Sequence, residues 1–132
     1  DNGIQLVVFV NPEFYVRWEE AVQRGYLDFL EGLAQITDFY SFGGYNSVTT
    51  DTANFHDISH YRQQVGDSMI WLMEQGRQDG GTADEPLRWS DTLSAEEQAR
   101  LKALREEGFG RYVTADNVEE YLAGLQGKET GM

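Results

Sequence analysis

The first apolar segment of the chain covers residues 4–10 and is closed by Asn11 and Pro12. It is rich in β-branched residues and almost uninterrupted by polar ones. A run of this kind is typical of a strand buried on both faces of a parallel sheet. We therefore predict a central strand here, not an edge strand with one polar face.

From Phe14 the apolar positions change to helical spacing. Apolar side chains recur at helical intervals as far as Leu33, with charged residues between them, which predicts one amphipathic helix. A second short strand is expected at residues 36–40. Strand, helix and strand in this order form a βαβ unit, which implies a parallel α/β sheet.

A polar, glycine-containing stretch follows at residues 41–56 and is predicted to be a loop. Loops that leave the strands of an open α/β sheet are where functional groups gather. The next apolar pattern predicts a helix over residues 60–74, ended by Gln75 and Gly76.

Residues 77–92 are rich in Gly and Asp and predict a linker. Beyond the linker the pattern predicts helices only. Ser94 and Glu97 have the spacing of a capping box at a helix start, and Thr114 or Asp116 is expected to cap a last helix.

Composition narrows the possible partners. The chain has 132 residues, and its 10 Lys and Arg against 23 Asp and Glu give a formal charge of -13. So much negative charge argues against binding to nucleic acid or to anionic membranes, and no apolar run is long enough to insert in a membrane. There is no cysteine, hence no disulfide and no thiolate site. Because the chain begins at Asp1 and enters a predicted strand almost at once, we expect a processed piece of a longer protein.

Asp57 and His60 are the residues with the clearest chemical potential. They are three positions apart, at the junction of the predicted loop and helix. At a helix start this spacing lets a carboxylate hold one imidazole nitrogen and leave the other open. An imidazole held in this way is a general base near neutral pH.

Two other interpretations of these residues stay open. The first is an ordinary capping Asp beside a surface His. The second is a metal site in which His56 and His60 share a helical face and Asp57 or Asp51 supplies a carboxylate. We favour no metal and no cofactor, because His56 is expected to lie in the loop.

The residues around Asp57 extend the pattern. They resemble the closing segment of SGNH-superfamily (GDSL-like) hydrolases and acyltransferases, and within that superfamily the bacterial alginate O-acetyltransferase-like envelope proteins. The resemblance covers about residues 4–76 and is carried by Asn54, Phe55, Asp57, His60, Tyr61, Arg62, Val65 and Gly66.

The resemblance implies a fold, a chemistry and a location. The fold would be a partial flavodoxin-like three-layer parallel sheet with a C-terminal helical extension. The chemistry would be ester hydrolysis or acyl transfer through an acyl-serine, often on glycans, with Asp57 orienting His60 as the base. The location would be the periplasm or cell envelope, although composition alone leaves the cytoplasm open.

The nucleophile expected from the resemblance is missing. The family carries it in a Gly-Asp-Ser segment after its first strand, and no such segment precedes Asp57. Ser68 follows a Gly-Asp pair but lies in a predicted helix, about 12 Å past His60 along the axis, and is not expected to serve.

Two strands are also too few to close a doubly wound domain. We therefore divide the chain into the C-terminal half of an SGNH-like domain at residues 1–76, a linker at residues 77–92 and a helical extension at residues 93–132. A missing N-terminal half or another chain would complete the sheet.

Three further residues are weaker candidates for substrate binding. Tyr45 and Asn46 precede the dyad of Asp57 and His60, but such residues are also common in ordinary turns. Arg62 could bind a substrate carboxylate, although an ion pair with Asp67 is the favoured expectation.

Three aromatic residues, Trp71, Trp89 and Tyr112, either stack on sugar rings or attach the helices to the sheet. The alternative to an enzyme is a non-catalytic envelope or assembly module. In that case the helical tail at residues 93–125 would dock a partner.

Overall fold

The computed structural model describes residues 6–79 and 93–130. Within these ranges the chain is mixed α/β, and none of the helices is both long and apolar enough to cross a membrane. The strands are β1 Phe9–Val10, β2 Phe39–Ser41 and β3 Arg111–Val113. The α-helices are α1 Tyr15–Gln23, α2 Tyr26–Ile36, α3 Gln63–Asp79, α4 Ala95–Glu106 and α5 Val118–Thr130, and a 3₁₀ helix covers Thr52–Asn54.

The three strands form one sheet in the order β1, β2, β3. β1 and β2 are parallel, with Phe9 opposite Tyr40, as expected for the first βαβ unit. β2 and β3 are antiparallel, with Tyr40 opposite Tyr112. The prediction of a purely parallel sheet is therefore wrong, because β3 is a three-residue strand too short to show an alternating pattern.

β1 is an edge strand within the part of the chain that the structure describes. Val10 is buried, but Phe9 is 41% exposed and Leu6 is 81% exposed. The prediction of a central strand buried on both faces is thus wrong for the described residues; Ile4 and Gln5 lie outside them. An apolar run alone does not establish that both faces of a strand are covered.

A glycine divides the first predicted helix in two. Gly25 lies between α1 and α2 with a φ of 95°, a conformation that favours glycine because side chains with a Cβ are strained there. The second strand also begins later than expected, since α2 runs to Ile36 and leaves its side chain exposed.

Two apolar clusters lie on the sheet. Tyr40 and Phe42 pack with residues of α3 and α4, whereas Phe39 and Val113 pack with residues of α1, α2 and α5. Successive residues of a strand point to opposite faces, so helices cover both faces of the sheet. The α/β class is confirmed, and the flavodoxin-like order of strands stays a prediction.

The C-terminal part is joined to the same sheet. β3 pairs with β2, so the prediction of helices only beyond the linker is wrong. One of the two hydrogen bonds of the predicted capping box is confirmed: the Ser94 hydroxyl accepts from the Glu97 N–H over 3.1 Å. Before α5 the Thr114 hydroxyl oxygen accepts from two backbone N–H groups.

The predicted linker falls largely outside the described residues. Its first three residues, 77–79, belong to α3, so the predicted helix end at Gln75 and Gly76 is wrong. Residues 80–92, including Trp89, lie outside the described ranges. The division of the chain into residues 1–76 and 93–132 stays a prediction.

Candidate acid–base site

Asp57 and His60 lie at the tip of a tight turn between two short antiparallel segments. The His56 N–H donates to the His60 carbonyl over 2.7 Å, and Phe55 pairs with Tyr61 just below the turn. α3 begins only three residues after His60, so the prediction that His60 opens a helix is wrong. The Asp57 side chain caps a turn here and not a helix. The same side-chain-to-backbone hydrogen bonds occur in both motifs, so residue type and spacing did not distinguish them.

The turn is anchored against the chain that follows β1. Phe55 is buried and packs edge-on against Phe14, with ring centroids 5.8 Å apart. The Phe14 N–H donates to the Ile58 carbonyl over 3.1 Å, and the Tyr61 hydroxyl donates to Asn11 Oδ1 over 3.3 Å. The site therefore lies at the carboxyl end of β1. In the sequence, the only indication of this anchoring is that Phe14 and Phe55 are large apolar residues.

The Asp57 carboxylate grips the His60 ring. Nδ1 of His60 lies 2.8 Å from Oδ1 and 2.9 Å from Oδ2 of Asp57. Oδ1 also accepts hydrogen bonds from the backbone N–H groups of Ser59 and His60, over 2.8 and 3.0 Å. An ionised carboxylate only accepts, so Nδ1 is the donor and carries the ring proton.

These contacts change the acidity of the carboxyl group. The Ser59 N–H first, and the His60 side chain second, hold the pKa of Asp57 below its usual range. Asp57 is therefore the stable anionic partner of the ring across the neutral pH range.

The far side of the His60 ring is open. The side chain of His60 is 73% exposed and that of Asp57 is 58% exposed. Among residues 6–74 and 93–125 no side chain or carbonyl forms a hydrogen bond with Nε2 of His60. The dyad is thus assembled and accessible, while no hydroxyl of the described chain is bonded to it.

Ser68 is engaged elsewhere. It lies inside α3, as predicted, and its hydroxyl donates to the Gln64 carbonyl one turn earlier over 2.9 Å. This contact uses the only proton of the hydroxyl within the helix itself.

Tyr45 and Asn46 have structural partners. The Tyr45 hydroxyl donates to Glu19 over 2.8 Å. Asn46 is buried, and its side-chain oxygen accepts from the N–H groups of Val48 and Thr49 over 3.0 Å each. Both residues hold the loop after β2, and neither forms a hydrogen bond with the dyad in the structure.

Arg62 belongs to the turn that carries the dyad. Its N–H donates to the Asn54 carbonyl over 2.9 Å, and its side chain is exposed. The described side chains of Arg62 and Asp67 form no ion pair within 4.0 Å, so the predicted pair is wrong. Of the three weaker candidates, Arg62 is the one in the segment that leaves the turn of Asp57 and His60.

A metal site was one of the two other interpretations of this segment. In the described part of the chain, no three His, Asp or Glu side chains lie close enough together to hold a metal ion. Nδ1 of His60 is already bound by Asp57, and His56 is an exposed residue of the turn.

The geometry supports one kind of chemistry. An imidazole with one nitrogen held by a carboxylate and the other exposed can take a proton from a hydroxyl and return it to a leaving group. Comparisons of the chain with models of protein families, with curated proteins and with solved structures found no match.

Proposed function

We propose that this chain supplies the carboxylate and the base of an SGNH-like serine esterase or O-acyltransferase that acts on acyl esters of glycans. His60 is the base and Asp57 orients it. One observation carries the proposal: Nδ1 of His60 lies within 2.9 Å of both Asp57 oxygens, while the opposite side of the ring is exposed.

The proposed reaction has two steps. In the first, a serine hydroxyl gives its proton to Nε2 of His60 and its oxygen attacks the ester carbonyl, and the imidazolium then protonates the departing alcohol. In the second, the same nitrogen deprotonates water or a sugar hydroxyl, whose oxygen attacks the acyl carbonyl, and the imidazolium returns the proton to the departing serine oxygen. Asp57 stabilises the positive ring in both steps.

The nucleophilic serine belongs to a part of the protein outside residues 6–79 and 93–130. Two features support this. The dyad lies at the carboxyl end of β1, where the functional groups of parallel sheets converge. The outer edge of β1 is unpaired within the described sheet, so a further strand added there would bring its own carboxyl end beside the turn. Such a strand would extend the sheet towards the flavodoxin-like order, and the same resemblance supports a periplasmic or envelope location.

A test of the base uses the intact protein and an activated acetyl ester. We expect His60→Gln to lower kcat/KM by roughly 10²- to 10⁴-fold, because the general base is lost. His56→Gln is the matched control, since His56 is exposed in the same turn and its side chain has no place in the mechanism. Unchanged turnover in His60→Gln, or an equal loss in His56→Gln, rejects the proposal.

A second test locates the nucleophile. A fluorophosphonate probe reacts with activated serines, and mass spectrometry of the intact protein identifies the labelled peptide. We expect one labelled serine outside the described residues, with labelling abolished in His60→Gln. Absence of labelling, or labelling of Ser68, contradicts the assignment.

The packing of the C-terminal part favours this proposal over an assembly module. The apolar residues that a docking tail would present are buried in the core of the chain itself: Leu101, Leu104, Val118, Tyr121 and Leu125. A tail whose apolar side chains already cover the sheet leaves little apolar surface for a partner.

A further inference from the structure

A concave site separate from the dyad lies between the end of α4 and the start of β3. Its volume is about 360 Å³, within the range of roughly 300–1,000 Å³ typical of small-molecule sites. Neither Asp57 nor His60 lines it. The side chains in its wall are Tyr40, Arg105, Glu106, Arg111 and Tyr112, and the backbone of a glycine-containing turn completes it.

The aromatic part of this pocket is fixed and accessible. Tyr112 is 48% exposed, whereas Tyr40 beneath it is buried, and their ring centroids are 4.8 Å apart. The Tyr112 hydroxyl donates to Asp38 over 3.2 Å, which holds the ring in place. Trp71, in contrast, is buried in the core. Tyr112 thus presents a rigid apolar surface to the pocket.

Charged groups of both signs surround this ring. The Arg105 guanidinium donates to the Leu72 carbonyl. The Arg111 guanidinium donates to Glu120 over 3.1 Å. Glu106 brings a carboxylate to the same wall. Two arginines and one glutamate therefore border the pocket around one aromatic surface.

We propose that this pocket binds a neutral sugar ring. The hydroxyl groups of a sugar both donate and accept hydrogen bonds, which matches a wall of guanidinium and carboxylate groups. The C–H face of a sugar is apolar and stacks on an exposed aromatic ring. Glu106 lines the same pocket as the two arginines, and Glu120 is bonded to Arg111, so an anionic ligand gains little there, and the net charge of -13 repels it at longer range.

The pocket lies along the pair of strands β2 and β3, and the Tyr112 ring in it reaches Asp38, the residue before β2. Arg111, the first residue of β3, pairs with Ser41, the last residue of β2, so the pocket borders the carboxyl end of β2. The dyad lies at the carboxyl end of the parallel neighbour β1. Binding of a sugar in the pocket nevertheless requires neither Asp57 nor His60, so it is testable apart from catalysis.

The test is an NMR titration of the ¹⁵N-labelled protein with the methyl glycosides of glucose, galactose, mannose and N-acetylglucosamine. We expect at least one of them to cause saturable shifts of the Gly108, Gly110 and Tyr112 amides. Glucuronate should bind at least about threefold more weakly than the best neutral sugar. Saturation by none of the four, shifts confined to other residues, or tighter binding of glucuronate would overturn the proposal.

Variants test the aromatic surface. Tyr112→Ala should weaken binding roughly three- to tenfold, because stacking is lost, while Tyr112→Phe keeps the ring and should bind within about threefold of the wild type. Arg111→Gln should weaken binding, and Arg100→Gln on the exposed side of α4 is its control. Unchanged binding in both Tyr112→Ala and Arg111→Gln, or equal loss in Tyr112→Phe and Tyr112→Ala, contradicts the proposed contacts.

Discussion

The Asp57 carboxylate is surrounded by donors although it lies at the surface. The Ser59 N–H, followed by the His60 side chain, lowers its pKa, so we expect ¹³C NMR to give a titration midpoint below the ordinary value for Asp. A lowered pKa contributes to stability above the pKa of the unfolded chain, and this contribution is lost as the pH falls through the folded-state pKa. Asp57→Asn should remove it. A midpoint at or above the ordinary value would contradict the hydrogen-bonded turn.

The pKa of Tyr121 is shifted upwards, opposite to that of Asp57. Burial raises its pKa to about 12, and its hydroxyl forms a hydrogen bond with that of Ser41. The contribution to the free energy of unfolding is complete below the unfolded-state pKa of about 10, and it is lost as the pH rises from there through about 12. Ultraviolet titration of the tyrosines should show a late phase that is smaller in Tyr121→Phe. Ionisation of all tyrosines in one phase near pH 10 would show that Tyr121 is not buried.

The chemistry of these residues explains which part of the site could be predicted. The pairing of Asp57 with His60 followed from residue type and spacing, since a short acidic side chain reaches the third residue along in either a helix or a turn. The backbone between them could not be predicted for the same reason: the hydrogen bonds that cap a turn and those that cap a helix are alike. Whether Arg62 would meet Asp67 depended on the side-chain directions set by that backbone.

At the scale of elements, the loop after β2 and helix α1 are in close contact at Gly43. A Cβ atom placed there would lie 2.6 Å from Cζ3 of Trp18, which is buried in α1. We expect Gly43→Ala to lower the free energy of unfolding by about 1–3 kcal/mol, because the overpacked indole must move.

A matched control for this change lies in α2. A Cβ atom added at Gly32 meets nothing within 4 Å, so Gly32→Ala should raise the free energy of unfolding by about 0.5–1 kcal/mol. Urea unfolding followed by circular dichroism measures both variants. Equal stability of Gly43→Ala and the wild type would show that the loop after β2 does not lie against Trp18.

The elements themselves were predictable to different degrees. The parallel pair β1 and β2 followed from an apolar run and a helical pattern close together in the chain. β3 did not, because a three-residue strand has too few positions to show alternation and pairs with a strand far away in sequence. The break between α1 and α2 had a local sign in Gly25, but glycine also occurs within helices such as α2.

At the scale of the whole molecule, the two proposed sites adjoin the two outer strands of the described sheet. β1 and β3 are separated by β2, so these two strands lie roughly 10 Å apart by the usual spacing of strands. A sugar held beside Tyr112 could therefore extend an ester-bearing neighbour towards His60.

This arrangement predicts a difference between substrates in the intact protein. Tyr112→Ala should raise KM for an acetylated glycan roughly three- to tenfold and leave p-nitrophenyl acetate hydrolysis unchanged, because the small ester does not reach the pocket. Steady-state kinetics on the two substrates measures this. An equal effect on both substrates would show that Tyr112 acts on the fold and not on the sugar.

The central claim is that Asp57 binds the Nδ1–H of His60 and leaves Nε2 free to accept a proton. Long-range ¹H–¹⁵N NMR of the neutral imidazoles tests this directly, and His56 provides an internal reference because it is the only other histidine of the chain. We predict the Nδ1–H tautomer for His60 in the wild type and a shift towards the Nε2–H tautomer in Asp57→Asn. A wild-type His60 that is mainly the Nε2–H tautomer, unchanged by Asp57→Asn, would contradict the account.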